Sequence, residues 1–256
     1  MKKVRRGILS KVLHTMNASI EEGIAASFGD VLMQDRVSRQ NLDIVVHARY
    51  FTKRTIDLLL GVLFLIISLP FMLVISAIIK LTSKGPIFFI QERVGLNGKP
   101  FKIIKFRTMK PENSQHDHRE YVQKLLNGDK NEKIDMIEEF IDYLSERTTP
   151  IGRLLRATSL DELPQLLNIL LGQMSLVGPR PHPVYEVKEY KAWYKRRLEV
   201  KPGLTGWSKL NLRLTPQNYE ESILYDLWYV DHWNLWLDLK ILFMTIPFIL
   251  LKRDAH

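Results

Sequence analysis

The longest apolar run in the chain covers residues 58–79, which read LLLGVLFLIISLPFMLVISAII and carry no charge. Its length of about 22 residues meets the roughly 20 residues that a helix needs to cross a bilayer. Pro70 lies near the middle of the run, where it removes one backbone hydrogen bond and favours a kink. The run therefore predicts a membrane segment with a break at Ser68 and Pro70.

Basic residues flank this run on both sides, with Lys53 and Arg54 before it and Lys80 and Lys84 after it. A spanning helix normally has its basic residues on the cytoplasmic side only, whereas these flanks are symmetric. We therefore expect residues 53–84 to form a re-entrant helix-break-helix with both ends on the cytoplasmic face. A single kinked span is the alternative, because prolines are tolerated in spanning helices.

Two runs rich in Ile, Phe and Val follow, in the stretch GPIFFIQERVGLNGKPFKIIKFRTM. They flank Asn97-Gly98, a pair suited to a tight type I′ turn, and so predict a β-hairpin. Residues 110–147 then turn acidic and helical in pattern, which predicts a solvated insertion. From Arg153 onward the pattern predicts helices joined by short loops.

Aromatic residues precede the last apolar run, residues 241–251. That run of about eleven residues is shorter than the ~17 needed to span a bilayer. Trp and Tyr favour the membrane–water interface. We expect residues 216–256 to form amphipathic helices that lie in the interface plane, and the alternative is a helix buried in the domain core.

Composition narrows the classes of partner. The net charge of +9 favours anionic partners, namely nucleic acid, an acidic membrane surface or phosphorylated small molecules. The absence of cysteine excludes disulfides, thiolate metal sites and a cysteine nucleophile. The N-terminal segment is basic but has no continuous apolar core of a signal peptide, so we expect the chain to stay on the cytoplasmic side. Residues 1–50 are interpreted as a basic extension, either a helix on lipid or a solvated segment.

Two adjacent carboxylates, Asp161 and Glu162, stand in front of an apolar run in SLDELPQLLNILL. Ser159 and Glu162 have the spacing of a capping box, and Asp161 is an alternative N-cap that places Pro164 in the first turn. These acids therefore have a structural interpretation, and a chemical one stays open beside it.

Basic residues gather around this pair, either nearby in sequence or through the predicted hairpin. They are Arg153, Arg156, Arg180, Arg93, Lys99, Lys102, Lys105 and Arg107. Arginine forks match phosphate oxygens, and a carboxylate among cations stays ionised. Such a carboxylate can attack phosphorus or bind Mg²⁺ that also holds phosphates. The mixture suits phosphoryl transfer, which depends mainly on positioning and charge neutralisation.

Five ordered motifs carry a resemblance to a known family. They are KRTIDLLL with its following proline, KFRTM, TSLDELPQLLNILLGQMSLVGPRP, PGLTGW and LDLKIL. This order resembles the bacterial sugar transferases, the monotopic phosphoglycosyl transferases that begin glycan assembly on a polyprenol carrier. The resemblance covers roughly residues 53–251.

The resemblance implies a ping-pong reaction with Mg²⁺. Asp161 would attack the β-phosphate of a nucleoside-diphosphate sugar, expected to be a UDP-sugar, and release the nucleoside monophosphate. Undecaprenyl phosphate would then take the phosphosugar from the aspartate. Glu162 would help to activate the acceptor or to hold Mg²⁺ with Asp161. Phosphate-binding roles are expected for Arg156, Arg180, Arg107, Lys105 and Arg93.

Two departures from the family pattern stand out. The family usually has serine directly before the helix-breaking proline, while Leu69 intervenes here between Ser68 and Pro70. The usual PGITGWAQVNGR appears as PGLTGWSKLNLR, with Ser208, Lys209 and Leu212 at changed positions. The second departure falls where substrate recognition rather than chemistry is expected to differ.

These patterns together predict an α+β, mostly helical protein on the cytoplasmic face of a bacterial plasma membrane. Its expected parts are a basic extension (1–52), a re-entrant membrane helix (53–84), a compact catalytic domain with a small β-hairpin (85–215) and interfacial amphipathic helices (216–256). Whether it forms a homodimer is left open. A non-catalytic scaffold for polysaccharide assembly is the alternative, and a nucleic-acid binder ranks last because no recognition motif is visible.

Overall fold

The computed structural model describes residues 48–110, 143, 145–212 and 219–251. The predictions for residues 1–47 and for most of the 110–147 insertion lie outside these residues. Lys53–His256 forms one compact unit, and the contacts that follow lie within it. The predicted boundaries between the parts of the chain stay predictions.

A single long helix, α1, covers Ala48–Thr82. Among the described residues it is the one helix long and apolar enough to cross a membrane, and it indicates association with a membrane. The helical assignment continues through Ser68 and Pro70, and the predicted break and re-entrant course of this segment stay predictions. Proline removes only one hydrogen bond from a helix, and the Ser68 hydroxyl donates to the Leu65 carbonyl 3.2 Å away within the same turn.

One face of α1 is buried against the rest of the unit. The buried positions are three, four or seven residues apart, which is the spacing of one helix face. They are Asp57, Gly61, Ser68, Met72, Ile75 and Ile79. The outward positions are large apolar residues, including Leu59, Ile66 and Phe71. The helix is therefore part of the core on one side and exposes an apolar surface on the other.

Side chains anchor α1 at both ends. Near its start, the Arg54 guanidinium donates to the carbonyls of Ile169 and Leu170 at 2.6 and 2.9 Å. Just beyond its end, the Arg107 guanidinium donates to the carbonyls of Lys84 and Ser83 at 2.6 and 3.1 Å. The final carbonyls of a helix lack partners within the helix, so Arg107 satisfies acceptors that this segment leaves open.

Near the start of α1, the Asp57 carboxylate accepts hydrogen bonds from the Ser175 hydroxyl and the Leu176 amide, both at 3.0 Å. The Lys53 ammonium pairs with Asp238 at 2.6 Å. The first turns of the helix are thus held by polar contacts as well as by packing.

The predicted hairpin is confirmed. Strands β1 (Phe88–Val94) and β2 (Pro100–Phe106) pair antiparallel. Asn97 and Gly98 both have positive φ, 55° and 76°, as a type I′ turn requires. The Gly95 amide donates to the Lys99 carbonyl at 2.8 Å, so the three residues Leu96–Gly98 connect the strands, rather than the two residues of a tight turn. Strand β2 carries Lys105, and the residues that follow it lead directly to Arg107.

The dyad lies on a short connection between two helices. Helix α2 (Pro150–Ala157) begins after Thr149, whose hydroxyl accepts from the Gly152 amide at 3.0 Å. A single 3₁₀ turn, Leu160–Glu162, follows, and we call it the dyad turn. Helix α3 (Gln165–Leu170) comes next.

Both capping interpretations of the dyad are wrong. Ser159 has a φ of 56° and its side chain makes no capping hydrogen bond. Pro164, not Asp161, precedes the first residue of α3. The acids are therefore not used as helix caps, and the partners of Glu162 described below explain why.

A second sheet was not predicted. Strands β3 (Ser175–Val177) and β4 (Gly203–Thr205) pair in parallel. Between them lie helix α4 (Val184–Lys188) and the 3₁₀ segment Ala192–Glu199. The expectation of helices alone after Arg153 is wrong here, because strands of three residues are too short to show an alternating pattern.

In the described part of the chain after β4 lie the helices α5 (Trp207–Asn211), α6 (Tyr219–His232) and α7 (Leu235–Leu251). Leu237 and Ile241 of α7 are buried in the main hydrophobic cluster. Other large apolar side chains of α6 and α7 are exposed, namely Leu224, Trp228, Trp236, Phe243 and Ile246. These helices join the core by one face, and their placement in a membrane interface stays a prediction.

Asn168 ties helix α3 to strand β2. Its side-chain oxygen accepts from the Ile104 amide at 3.1 Å, and its amide donates to the Lys102 carbonyl and to Gln173, both at 2.7 Å. Asn168 is only 1% exposed. Helix α3 follows the dyad turn, and β2 carries Lys105. Asn168 therefore holds the two elements that flank the dyad turn against each other.

We expect Asn168→Leu to lower the thermal unfolding midpoint clearly. Each buried backbone group left without a partner costs about 1–3 kcal/mol. The midpoint can be measured on protein in nanodiscs. The control is Asn211→Leu at an exposed position, which should leave the midpoint within error of the parent protein. Equal midpoints for the two variants would contradict this role of Asn168.

Candidate active site

Glu162 is held by two lysines from different elements. Its Oε1 pairs with the Lys105 ammonium of β2 at 2.8 Å, and its Oε2 pairs with the Lys209 ammonium of α5 at 2.6 Å. Both carboxylate oxygens are thus occupied. This explains why Glu162 does not reach back to Ser159 as a capping box would need.

These cations decide the charge of Glu162. Burial by itself would raise the pKa of its carboxyl, but Lys105 and Lys209, with a smaller contribution from Arg180, hold that pKa well below its usual value. Opposite charges in contact favour the ionised form of a carboxyl. The Glu162 carboxylate is therefore ionised and paired with the ammonium groups of Lys105 and Lys209.

Asp161 has the opposite environment. Among the described residues, no side chain or backbone amide donates a hydrogen bond to its carboxylate. Burial raises the pKa of the Asp161 carboxyl, the neighbouring Glu162 adds to the rise, and Lys105, Arg156 and Lys209 oppose it. A desolvated carboxylate without a direct donor is a stronger base and nucleophile than a paired one. The dyad therefore consists of one fixed anion and one open carboxylate.

Arg156 of α2 approaches Asp161 from another side. Its Nε donates to the Thr108 hydroxyl at 2.9 Å, which orients the guanidinium. Burial lowers the pKa of Arg156, and Asp161 opposes that effect. Arg156 and Asp161 thus interact through their charges, and the described residues show no direct hydrogen bond between them.

Arg180 lies at an exposed position in the segment Gly178-Pro179-Arg180-Pro181. Its charge helps to keep Glu162 ionised. None of the described residues accepts a hydrogen bond from its guanidinium, so its donors are available to a ligand. The structure thus brings Lys105, Arg156 and Arg180 to the predicted dyad.

The other two predicted arginines make contacts within the protein. The Arg107 guanidinium binds the end of α1, as described above. The Arg93 guanidinium donates to the Pro181 carbonyl at 2.9 Å, next to Arg180, and burial lowers the pKa of Arg93 to about 10. Arg93 therefore supports the loop that carries Arg180, and direct phosphate contacts of Arg93 and Arg107 stay predictions.

A buried polar network lies under the Arg180 loop. Arg197, 2% exposed, forms an ion pair with Asp226, and its guanidinium donates to the Arg180 carbonyl and the Tyr190 hydroxyl, both at 2.7 Å. The same guanidinium lies 2.9 Å from a ring nitrogen of His182. Burial lowers the pKa of His182, and Arg197 lowers it further, so His182 is neutral and can accept this hydrogen bond. The network fixes the backbone on which Arg180 stands.

Sequence reasoning missed two residues of this site. Lys209 was noted only as a changed residue in PGLTGWSKLNLR, and that departure was the available signal. Arg197 lies in the run KRRLE, where nothing distinguishes it from the exposed Arg196 beside it. Only packing separates these neighbours.

The described residues contain no cluster of three or more His, Cys, Asp or Glu that could hold a metal. The oxygens of Asp161 are open, whereas those of Glu162 are paired with lysines. Mg²⁺ often binds through one or two carboxylates together with substrate phosphates. Asp161 with the phosphates of a ligand fits such an ion, and Glu162 would join only if a lysine moved away.

An open carboxylate among several cations, beside a long apolar helix, defines a membrane-associated protein with a site suited to phosphate chemistry. Residues 48–252 match the profile of the bacterial sugar transferase family. The chain belongs to this family, as its motifs had indicated.

The chain is also similar in sequence to individual sugar-phosphate and sugar transferases. The chain is 41% identical over 211 residues to a UDP-glucose:undecaprenyl-phosphate glucose-1-phosphate transferase of Klebsiella pneumoniae, covering 80% of this chain and 41% of that protein. It is 36% identical over 232 residues to a UDP-galactose-lipid carrier transferase of Erwinia amylovora, covering 91% and 46%. It is 39% identical over 204 residues to the sugar transferase EpsL of Bacillus subtilis, covering 80% and 90%. The matched region is thus about two fifths of the Klebsiella protein and most of EpsL.

We expect Arg197→Met to lower the midpoint of thermal unfolding strongly, because Arg197 is buried in an ion pair with Asp226. Removing one partner of a buried ion pair typically costs about 3–5 kcal/mol. Arg196→Met is the matched control, because Arg196 pairs with Asp231 at the surface, where ion pairs contribute about 0–1 kcal/mol. Thermal unfolding of both variants in nanodiscs measures the two falls in midpoint. A larger fall for Arg196→Met than for Arg197→Met would refute the prediction.

Proposed function

We propose that this protein transfers a sugar-1-phosphate from a UDP-sugar to undecaprenyl phosphate and releases UMP, as a membrane step of polysaccharide or glycoconjugate assembly. The observation that carries this proposal is the open carboxylate of Asp161 beside Arg156, Lys105 and Lys209. The names of the relatives support the classes of donor and acceptor, because the Klebsiella protein is a UDP-glucose:undecaprenyl-phosphate glucose-1-phosphate transferase.

In the first step, a carboxylate oxygen of Asp161 attacks the β-phosphorus of the donor. A phosphorus–oxygen bond forms to the aspartate, the bond from the β-phosphorus to the oxygen that bridges the two phosphates breaks, and that oxygen leaves as part of UMP. In this proposal Arg156 and Arg180 neutralise the charge on the phosphate oxygens. Fixed cations that are already in place stabilise such charge without reorganisation.

In the second step, a phosphate oxygen of undecaprenyl phosphate attacks the same phosphorus and displaces the Asp161 carboxylate. The product is undecaprenyl-diphosphate-sugar, and the aspartate returns to its starting state. Asp161 is the nucleophile in the first half-reaction and the leaving group in the second, so one carboxylate serves both half-reactions.

Glu162 takes a supporting role in this proposal. An ionised carboxylate whose two oxygens are both paired with lysines is a weak base, so proton transfer from the acceptor does not suit it. Its charge instead keeps the ammonium groups of Lys105 and Lys209 beside Asp161. Glu162 thus positions the cations that surround the reacting phosphate.

Mg²⁺, when bound, would neutralise charge on the diphosphate and on the leaving UMP. Asp161 and the donor phosphates are the ligands that the arrangement favours. Arg156 and Arg180 would orient the phosphates of the donor, and Glu162 holds Lys105 and Lys209 beside Asp161.

We also propose that α1 is re-entrant or lies with both ends at the cytoplasmic face. Both ends are anchored to the same compact unit, through Arg54 at the start and Arg107 at the end. The face between them is buried against that unit from Asp57 to Ile79. A helix attached along its length to a cytoplasmic domain cannot easily place one end across the bilayer. The exposed apolar face would then enter the lipid, near the acceptor's phosphate.

We expect Asp161→Asn to reduce acceptor-dependent UMP release by more than about a thousandfold, because loss of a nucleophile removes the covalent route. The unfolding midpoint should stay unchanged or rise, since the substitution removes a desolvated negative charge beside Glu162. The assay uses nanodisc protein with Mg²⁺, undecaprenyl phosphate and a panel of UDP-sugars.

Asp231→Asn is the control for this experiment, because Asp231 makes a surface ion pair with Arg196. It should retain full activity. If Asp161→Asn kept activity within about tenfold of the parent, or if folded parent protein released no UMP with any donor, the scaffold alternative would gain support instead.

Single cysteines placed at Thr52 and Lys84 should both be labelled from the cytoplasmic side. Both positions are exposed, and the chain has no other cysteine, so each label reports one site. A cysteine at the exposed Lys195 marks the side of the catalytic domain. A membrane-impermeant thiol reagent should reach all three only after the cells are opened. Labelling of Thr52 and Lys84 from opposite sides would mean a true span.

A further inference from the structure

Side chains hold both backbone polar groups of Arg180. The Arg180 carbonyl accepts a hydrogen bond from the Arg197 guanidinium at 2.7 Å, and the Arg180 amide donates to the Asp226 carboxylate. Arg197 and Asp226 are each 2% exposed and form an ion pair with each other. One buried ion pair therefore holds the Arg180 backbone on both sides.

Backbone pairing with β4 ends just before Arg180. The Pro179 carbonyl accepts from the Gly203 amide at 2.9 Å, and the described residues show no backbone hydrogen bond from β4 to Arg180 itself. Neither Pro179 nor Pro181 has an amide hydrogen, so the Arg180 amide is the one backbone donor in residues 179–181. The position of Arg180 therefore depends on the side chains that bind its backbone.

Asp226 also joins the Arg180 loop to helix α5. Its Oδ1 accepts from the Ser208 hydroxyl at 2.6 Å, while Arg197 pairs with its Oδ2. Ser208 is 6% exposed, and the next residue in α5, Lys209, belongs to the dyad site. One buried carboxylate thus links the backbone of Arg180 to the helix that carries Lys209.

Ser208 is one of the positions at which this chain departs from the family pattern. The usual PGITGWAQVNGR has alanine there, and alanine has no hydroxyl to donate. The hydrogen bond from Ser208 to Asp226 is therefore a contact that the usual residue could not make. The adjacent departure, Lys209, also makes a polar contact, with Glu162 at 2.6 Å.

We propose that Asp226 is a positioning residue, which through the Ser208 hydroxyl holds α5 and the Arg180 loop in one arrangement and so places the Arg180 guanidinium for the phosphates of the donor. This inference rests on the proposed function. It deepens that function by naming the contact that sets how tightly the donor is held. Asp226 and Ser208 act through Arg180 rather than on the donor itself.

Loss of the Ser208 hydroxyl should weaken donor binding rather than the chemical step. Arg180 meets the donor phosphates before the reaction as well as during it, so a displaced Arg180 weakens the ground state and the transition state alike. Such a change raises the half-saturating concentration of donor. A partly unfolded preparation instead contains fewer active molecules, and these bind the donor normally.

The test measures the burst of UMP release by nanodisc protein with Mg²⁺ and without acceptor, over a range of UDP-sugar concentrations. In Ser208→Ala the half-saturating concentration should rise about three- to tenfold, which is part of what one hydrogen bond to a charged group supplies. The limiting rate and the burst amplitude should stay close to those of the parent protein. Asp226→Asn should raise the half-saturating concentration further, because it weakens the contacts to Ser208, to Arg197 and to the Arg180 amide together.

Ser222→Ala is the matched control. It deletes another hydroxyl of a residue that is 6% exposed, whose hydrogen bond to the Tyr219 carbonyl at 2.7 Å stays within α6. This variant should keep the half-saturating concentration of the parent protein. If Asp226→Asn does not fold, Ser208→Ala and this control decide the question by themselves.

A folded and active Ser208→Ala protein with the half-saturating concentration of the parent would overturn the inference while leaving the proposed function intact. A fall in burst amplitude alone would overturn it as well, because that result indicates loss of folded protein and no change in the binding of the donor.

Silence of every protein, including the parent, would count against the proposed function alone. Hydrogen exchange of the Arg180 amide, followed by mass spectrometry of peptides that contain residues 179–181, then decides the inference. This exchange should be faster in Ser208→Ala than in the parent and unchanged in Ser222→Ala, because only the first substitution loosens Asp226. Equal exchange in Ser208→Ala and the parent overturns the role of Asp226.

Discussion

The ion pairs of Glu162 with Lys105 and Lys209 are the interaction on which the site depends. A buried carboxylate is costly unless it is paired, and here β2 and α5 each supply one lysine to the dyad turn. The three elements are far apart in sequence and meet at this single side chain. Because Glu162 takes both lysines as direct partners, Asp161 is left without one, and the two adjacent acids acquire different chemical properties.

Helix α1 belongs to the catalytic unit rather than serving as a simple anchor beside it. Its buried face packs against β2 and α2, and polar contacts of Arg54, Asp57 and Arg107 hold it near both ends. The opposite face exposes large apolar side chains. Under the proposed function, a rigid attachment of this kind would hold the site at a constant depth relative to the lipid that carries the acceptor phosphate.

The sequence predicted which charged residues lie near the dyad, but it did not predict which partners each of them contacts. Asp161, Glu162, Arg156, Lys105 and Arg180 were all chosen from motifs, and the structure brings them together. Capping was expected for the dyad because local spacing allowed it, but tertiary ion pairs were stronger than the local alternative. Arg93 and Arg107 were grouped with the phosphate ligands, although their observed contacts are with backbone carbonyls of the Arg180 loop and of the end of α1.

The sequence by itself determined the apolar length of α1, the Asn97-Gly98 hairpin turn and the family, because each depends on residues that are adjacent or regularly spaced. Tertiary structure decided which of the neighbours Arg196 and Arg197 is buried, and it joined Lys209 to Glu162. It also paired the short strands β3 and β4. These outcomes depend on contacts between residues that are distant in the chain. The free energy of such a contact is set only after folding has removed water from around the residues.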